Sequence, residues 1–162
     1  MTKAYDPSVQ PVRKLGHLGI KTQEFVLRHL QQKNPAAIPS HLRTGLQGEQ
    51  AALFELARRD YTVVARRWTS TRLRGDIDLI AWHGDSLCFV EVKTRSTRDI
   101  RPAESAVDDH KRRTLRNLAR AYLRAFPEAH RRTIRVRFDV LSVYLAGPAP
   151  EFDIFPGAFG WD

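Results

Sequence analysis

The stretch at residues 75–95, GDIDLIAWHGDSLCFVEVKTR, has the pattern of two short strands joined by a tight turn. The Gly-Asp pair at its centre suits a two-residue hairpin turn, and the flanking residues alternate as strand residues do. Counting outwards from this turn places Asp78 opposite Glu91. The same count places Asp76 opposite Lys93. Because side chains alternate between the two faces of a strand, we expect these four to share one face of the sheet.

The two opposed carboxylates predict a metal site. Like charges at directly opposed positions destabilise a sheet, and the apolar neighbours of Asp78 and Glu91 further disfavour their joint ionisation. A divalent cation such as Mg²⁺ or Mn²⁺ would remove this conflict, because hard cations bind carboxylate oxygens. Lys93 would then lie beside the metal. The alternative is that Lys93 forms ion pairs with Glu91 and Asp76 on a solvated face that binds no ion.

A third acidic residue is predicted to join this site from the first helix. Glu49 precedes Ala52 and Leu53 by one helical turn and Leu56 by two, and these apolar residues form one stripe. Glu49 therefore begins the buried face of that helix. We expect it to reach the metal directly or through a water molecule.

The order of predicted elements defines the fold class. Helices are predicted at 45–60 and 102–126, and strands at 61–68, 76–82, 86–94 and 133–145. The order α-β-β-β-α-β is typical of an α/β domain with a mixed sheet flanked by helices. We expect an N-terminal extension at 1–43, partly disordered but with a short helix at 17–32. The domain then covers 44–147, and residues 148–162 form a tail that packs on it as loop.

The charge of the chain favours a polyanionic partner. Lys and Arg outnumber Asp and Glu by 27 to 18, which gives a net charge of +9. Nucleic acid is the first candidate for such a protein, and a basic protein without a polyanionic partner is the alternative. The expected phosphate contacts are two arginines beside the hairpin site and four on one stripe of the second helix: Arg74, Arg95, Arg113, Arg116, Arg120 and Arg124. Their alternative role is an ordinary solvated face.

Cysteine content and hydropathy indicate the compartment. The single cysteine, Cys88, excludes an intramolecular disulfide and suits a reducing cytoplasm. Its position on the opposite face from Glu91 predicts a core residue. No apolar run approaches the about 20 residues that span a bilayer. We therefore expect a cytoplasmic protein that does not insert into a membrane.

Four motifs in this order resemble the YraN (UPF0102) family, which belongs to the PD-(D/E)xK nuclease-like superfamily and is similar to archaeal Holliday-junction resolvases. The motifs are G48-E49-x-x-A52, R74-G75-D76-I77-D78-L79-I80-A81, F89-V90-E91-V92-K93-T94-R95 and R137-F138-D139-V140. The family usually has Glu where this chain has Asp76, a swap that keeps the charge. The first 43 residues have no counterpart in the family pattern.

The resemblance implies a restriction-endonuclease-like fold and a set of site residues. Carried over position by position, the catalytic residues are Glu49, Asp78, Glu91 and Lys93, with the three acids as ligands of Mg²⁺ or Mn²⁺. The implied function is metal-dependent hydrolysis of phosphodiester bonds in DNA, branched or damaged, in repair or recombination. DNA is favoured over RNA, and the junction-resolving relatives suggest a homodimer by analogy only.

Two other readings of the sequence stay open. One is a nuclease-fold module that binds nucleic acid with weak or no catalysis. The other is a basic protein that binds ribosomal RNA or anionic lipid. The complete set of two acids and a lysine favours an active enzyme over both.

Overall fold

The computed structural model describes residues 40–95 and 107–162. The described helices are α1 (Ser40–Arg58), α2 (Asp109–Leu123) and the short α3 (Glu128–Arg131). The strands are β1 (Thr62–Ser70), β2 (Leu73–His83), β3 (Ser86–Arg95), β4 (Arg135–Tyr144) and β5 (Glu151–Phe159). The predicted extension at 1–43 and the predicted helix at 17–32 lie wholly or mostly outside the described residues.

The five strands form one mixed sheet in the order β1-β2-β3-β4-β5. Only β3 and β4 run parallel; the other neighbours are antiparallel. Between β2 and β3 the residue pairs are those counted from the turn, from His83 with Ser86 to Leu79 with Val90. The turn forms because Gly84 adopts a φ of 58°, which side chains disfavour. The predicted fold class, an α/β mixed sheet flanked by helices, is confirmed.

The two long helices cover opposite faces of the sheet, because each face of the central strands is apolar. On the α2 face the buried cluster combines side chains of the helix with those of the sheet, including Leu115, Leu118, Ile80, Leu87 and Phe89. On the α1 face it includes Ala52, Leu56, Leu79, Cys88 and Val90. The prediction that Cys88 is a core residue is confirmed. A strand buried on both faces explains why β3 is so uniformly apolar up to Val90.

The C-terminal segment was predicted wrongly as loop. Residues 151–159 form β5, an edge strand that pairs antiparallel with β4. Pro156 is tolerated there because an edge strand leaves one side without ladder hydrogen bonds. The aromatic ring of Phe159 stacks on Phe138 with centroids 4.8 Å apart, which holds the strand on the α2 face.

The second helix starts later than predicted. It begins at Asp109, and Asp108 caps it by accepting a hydrogen bond of 2.7 Å from the backbone N–H of Lys111. The prediction placed the start at Pro102, which lies outside the described residues. A proline and a capping aspartate are both good helix starts, and the side-chain cap determines the observed one. The connection between the first two strands is also shorter than the gap between the predicted strands at 61–68 and 76–82, since β1 ends at Ser70 and β2 begins at Leu73.

Strand β2 loses its regular alternation at Asp78. Ile77 belongs to the same buried cluster as Ile80, whereas Leu79 faces the other helix. On β1, the residue beside Asp78 is Arg67. Its φ is 45°, which is unusual for a residue other than glycine. The side chains on the two sides of this irregularity therefore do not share the face that simple alternation predicts.

Candidate metal centre

Asp78 lies where β2 and β3 stop pairing through their backbones. The paired register ends at Leu79 and Val90, and one step further the Val92 N–H donates a hydrogen bond of 2.7 Å to Asp78 Oδ2. The carboxylate thus replaces a backbone acceptor of the ladder. Burial, and next the negative charge of Glu91, raise the pKa of Asp78 to about 7. An acid with these neighbours gains from any added positive charge.

Glu91 lies at the centre of the site and is only 3% exposed. Lys93 Nζ is 2.9 Å from Glu91 Oε1, and Lys111 Nζ is 3.0 Å from Glu91 Oε2. The Lys111 contact is an ion pair, and among the described residues the buried Oε2 has no partner that meets the geometry of a hydrogen bond. Native structures satisfy most buried polar atoms, so this oxygen has unused lone pairs that could accept a ligand.

Glu49 reaches the site because α1 approaches β3 closely. At Gly48 an added Cβ would meet Thr94 Oγ1 at only 1.8 Å, so no larger residue fits between helix and strand. The next residue, Glu49, is 3.9 Å from Arg67. Its pKa is raised, mainly by burial, with Arg67 and Arg66 opposing the shift and Asp76 and Glu91 adding to it. Glu49 therefore lies within electrostatic range of Asp76 and Glu91, and its role as a third metal ligand stays a prediction.

One predicted pairing is wrong. Asp76 was expected to pair with Lys93, but its Oδ2 lies 3.9 Å from Arg67, while Lys93 contacts Glu91. The irregular backbone at Arg67 and Asp78 is the physical reason, because it changes which face Asp76 occupies.

Lys111 is the site residue that the sequence interpretation missed. It lies in the first turn of α2, four residues before Leu115 and seven before Leu118, both of which are buried. That spacing puts Lys111 on the core-facing stripe, a signal available from the sequence. Burial acts to lower the pKa of Lys111, but the contact with Glu91 and the charges of Glu91, Asp78 and Asp76 together outweigh burial, and the net pKa is raised.

The donors at this site fit a hard divalent cation held by few protein ligands. In the described part of the chain no group of three or more His, Cys, Asp or Glu side chains forms a metal cage. Mg²⁺ commonly uses one or two carboxylates and completes its shell with waters and substrate phosphates. Asp78, with its raised pKa, and Glu91, with an oxygen that lacks a hydrogen bond, supply two such carboxylates.

The predicted phosphate-binding arginines fall into two groups. Arg116 donates a hydrogen bond of 2.8 Å to the Gly160 carbonyl, and Arg120 lies over the Trp161 ring at 5.1 Å, so both hold the C-terminal segment. Arg113 is exposed on the same helix, and Arg124, the C-cap residue that follows the helix, is also exposed. Arg74 is exposed before the irregular stretch of β2, and Arg95 ends β3 in a half-buried position. Of the predicted stripe, Arg116 is therefore half-buried against the C-terminal segment, whereas Arg113, Arg120 and Arg124 are exposed.

A second polar cluster is centred on Asp139 of β4. The fully buried Asp139 accepts hydrogen bonds of 2.7 and 3.0 Å from Arg137, one of 3.2 Å from the Tyr61 hydroxyl, and one of 2.9 Å from the Gly157 N–H. These contacts tie β4 to β5 and to the residue before β1. Burial, followed by the charge of Asp139, raises the pKa of the neighbouring Cys88 to about 12. This cluster is a structural anchor.

The fold and the site define an α/β protein with a nuclease-like mixed sheet, and comparison with known proteins gives its family. The family model described as "Uncharacterised protein family UPF0102" matches residues 48–143, and the chain belongs to this family. Among the described helices none is both long and apolar enough to cross a bilayer.

Its relatives carry the same family name. A UPF0102 protein of Koribacter versatilis (strain Ellin345) is 49% identical over 121 residues, covering 75% of this chain and 82% of the relative. One of Solibacter usitatus (strain Ellin6076) is 45% identical over 115 residues, or 71% and 84%. One of Rhodococcus opacus (strain B4) is 38% identical over 120 residues, or 74% and 98%. The matched residues 48–143 include Glu49, Asp78, Glu91 and Lys93 and strands β1 to β3.

Proposed function

We propose that this protein is a divalent-metal-dependent endonuclease that hydrolyses phosphodiester bonds in DNA. The observation that carries the proposal is the buried Glu91 carboxylate beside Asp78, with an ammonium group near each oxygen and one oxygen without a hydrogen bond from any residue that the structure describes. Two neighbouring acids such as Asp78 and Glu91 destabilise a fold when they are buried and ionised, unless a cation binds them. The carboxylates and lysines together match the requirements of phosphoryl chemistry.

Each residue has a separate role in the proposed reaction. Asp78 and Glu91 would hold Mg²⁺ or Mn²⁺, with Glu49 beside them; when bound, the ion polarises the scissile phosphate and makes a water molecule more acidic. Lys93 Nζ, anchored 2.9 Å from Glu91 Oε1, orients the attacking water or stabilises the negative charge that develops on the phosphate. The water oxygen would bond to phosphorus and lose a proton to solvent, the bond from phosphorus to the leaving oxygen would break, and the leaving oxygen would take up a proton from solvent.

The charge distribution supports a nucleic-acid substrate bound without sequence readout. The chain carries a net charge of +9, and Arg74, Arg113 and Arg124 are exposed. Such arginines contact phosphates and give salt-dependent affinity. Branched or damaged DNA stays the preferred substrate class, by the resemblance to junction resolvases, and a homodimer would suit a two-stranded cut.

The two lysines beside Glu91 favour a second candidate function. In a protein that never binds metal, Lys93 and Lys111 would neutralise the buried carboxylate permanently. The protein would then be a nuclease-fold module that binds DNA without cutting it. The two candidates differ in their dependence on divalent cations.

Cleavage assays with matched variants decide between the two. Purified protein is incubated with linear, single-stranded and four-way-junction DNA in Mg²⁺, Mn²⁺ or EDTA. Glu91→Gln and Asp78→Asn should lose cleavage, whereas Asp85→Asn, which removes an exposed carboxylate from the turn of the same hairpin, should retain it. Cleavage that persists in both site variants would refute the site. Metal-independent, salt-sensitive binding without cleavage would favour the binding module.

A further inference from the structure

Lys111 is held rigidly at the edge of the site by the start of α2. Its backbone N–H donates a 2.7 Å hydrogen bond to the capping Asp108, and its side chain reaches across to Glu91 Oε2 at 3.0 Å. The helix thus places an ammonium group against the central carboxylate from a different element than Lys93. The backbone of Lys111 is thus fixed, whereas its ammonium group can move.

The contact between Lys111 and Glu91 is one that can be exchanged. The ammonium group is 3.0 Å from Oε2, which accepts no hydrogen bond within residues 40–95 and 107–162, and 26% of the Lys111 side chain is open to solvent. A side chain that is partly open on one side can move its ammonium group by rotating its terminal bonds. Glu91 has no such freedom, because it is 3% exposed within the sheet.

A divalent cation on Glu91 would conflict with Lys111 where it stands. Two cations near one carboxylate oxygen repel each other, and the repulsion is strong in a poorly solvated site. Lys111 also feels the charges of Asp78 and Asp76, which the same cation would neutralise. Once the cation binds, it neutralises the negative charges that attract Lys111. The ammonium group is then available to bind another anion.

We propose that Lys111 is a substrate-binding lysine that leaves Glu91 when the cation binds and then contacts a phosphate oxygen of the nucleic acid. This inference rests on the proposed nuclease function. Without DNA, Lys111 competes with the cation for Glu91 and weakens metal binding. When DNA is bound, a phosphate oxygen pairs with the Lys111 ammonium group. Metal and nucleic acid therefore each strengthen the binding of the other.

Two substitutions and one control test the role of Lys111. Lys111→Met removes the charge and keeps the length, and Lys111→Arg keeps the charge. Arg131→Met removes a charge from the exposed helix α3, away from the site. Urea unfolding first establishes that each variant folds. Calorimetry then measures Mn²⁺ affinity without DNA, and fluorescence anisotropy measures affinity for a junction DNA in Ca²⁺.

The expected signs distinguish substrate binding from a purely structural role. Lys111→Met should bind Mn²⁺ about tenfold more tightly and junction DNA about tenfold more weakly, because one charge opposes the ion and attracts the phosphate. Lys111→Arg and Arg131→Met should remain close to the wild type in both measurements. Weaker or unchanged Mn²⁺ binding by Lys111→Met would overturn the proposal, as would unchanged DNA affinity.

The same measurements separate this inference from the proposed function. A wild type that binds Mn²⁺ but cuts no DNA refutes the nuclease, while the two affinities of Lys111→Met still decide the role of the lysine. A wild type that cuts DNA and a Lys111→Met variant with wild-type affinities refute only the role of Lys111. A wild type that binds no Mn²⁺ overturns both.

Discussion

Asp78→Asn should make the metal-free protein more stable at alkaline pH, although it removes a predicted metal ligand. The asparagine side-chain oxygen can still accept the 2.7 Å hydrogen bond from the Val92 N–H, so the end of the β2–β3 pairing is kept. The substitution removes only the ability to ionise. It therefore isolates the cost of a carboxylate that the fold keeps partly buried beside another acid.

The size of the effect follows from the pKa of Asp78. Burial, with the charge of Glu91, raises it from 3.8 to about 7. A folded-state pKa above the unfolded value stabilises the protein at low pH, and that stability is lost as the pH rises from 3.8 to about 7. At 1.36 kcal/mol per unit the loss is at most about 4 kcal/mol. The neutral asparagine does not suffer this loss.

Urea unfolding in EDTA at pH 8 and at pH 4 measures this difference. Asp78→Asn should exceed the wild type in free energy of unfolding by about 2–4 kcal/mol at pH 8 and by less than about 1 kcal/mol at pH 4. Added Mn²⁺ should narrow the gap at pH 8, since it stabilises only a protein that binds it. Asp85→Asn, from the exposed turn, should show no such pH dependence. An Asp78→Asn variant no more stable than the wild type at pH 8 refutes the reasoning.

Three further predictions concern the packing around the site. Gly48→Ala should lower the free energy of unfolding by about 1–3 kcal/mol through its clash with Thr94 in chemical denaturation, and adding Thr94→Ala should recover only part of the loss, because the Thr94 Cβ that alanine keeps lies 2.8 Å from the added atom; an equal loss with and without Thr94→Ala would contradict the clash. Asp139→Ala should cost about 3–5 kcal/mol in the same assay, because it leaves Arg137 without its buried partner; a loss below about 1 kcal/mol would contradict the anchor role. Cys88, with a pKa raised to about 12, should react with a thiol reagent at pH 8 far more slowly in the folded than in the urea-unfolded protein; equal rates would contradict its burial.

The hairpin was predictable from the sequence because two local signals agree there. A Gly-Asp turn sets the register, and apolar alternation sets the faces, so the pairs from His83 with Ser86 to Leu79 with Val90 follow by counting. Counting fails beyond Asp78, where Arg67 on the neighbouring strand adopts a positive φ. Nothing local marks that residue, because an arginine is not a residue that predicts such a backbone.

The remaining errors arise from contacts between residues distant in the chain. Strand β5 contains Pro156 and Gly157, which disfavour a strand in the sequence. It forms because Phe159 packs on Phe138, and because the Gly157 N–H donates a hydrogen bond to Asp139, which Arg137 holds in place. Lys111 was not predicted as a site residue because a charged residue in an amphipathic helix usually faces solvent, as Arg113 of α2 does. The apolar spacing of that helix carried the signal, and a charged residue on an apolar stripe is the more informative one.

The parallel pairing of β3 with β4 ties the site to the order of synthesis. Glu91 lies opposite Val140, and every residue of β3 from Ser86 to Arg95 has its neighbour on β4, which is reached only after helices α2 and α3. A nascent chain that has not yet extended past Tyr144 lacks a complete β4. Its β3 therefore has no full parallel partner, and α2, which carries Lys111, has no complete sheet to pack against. Long-range parallel pairing also forms slowly. On the ribosome, the acidic centre is therefore assembled among the last parts of the domain, when nearly the whole described chain has been made.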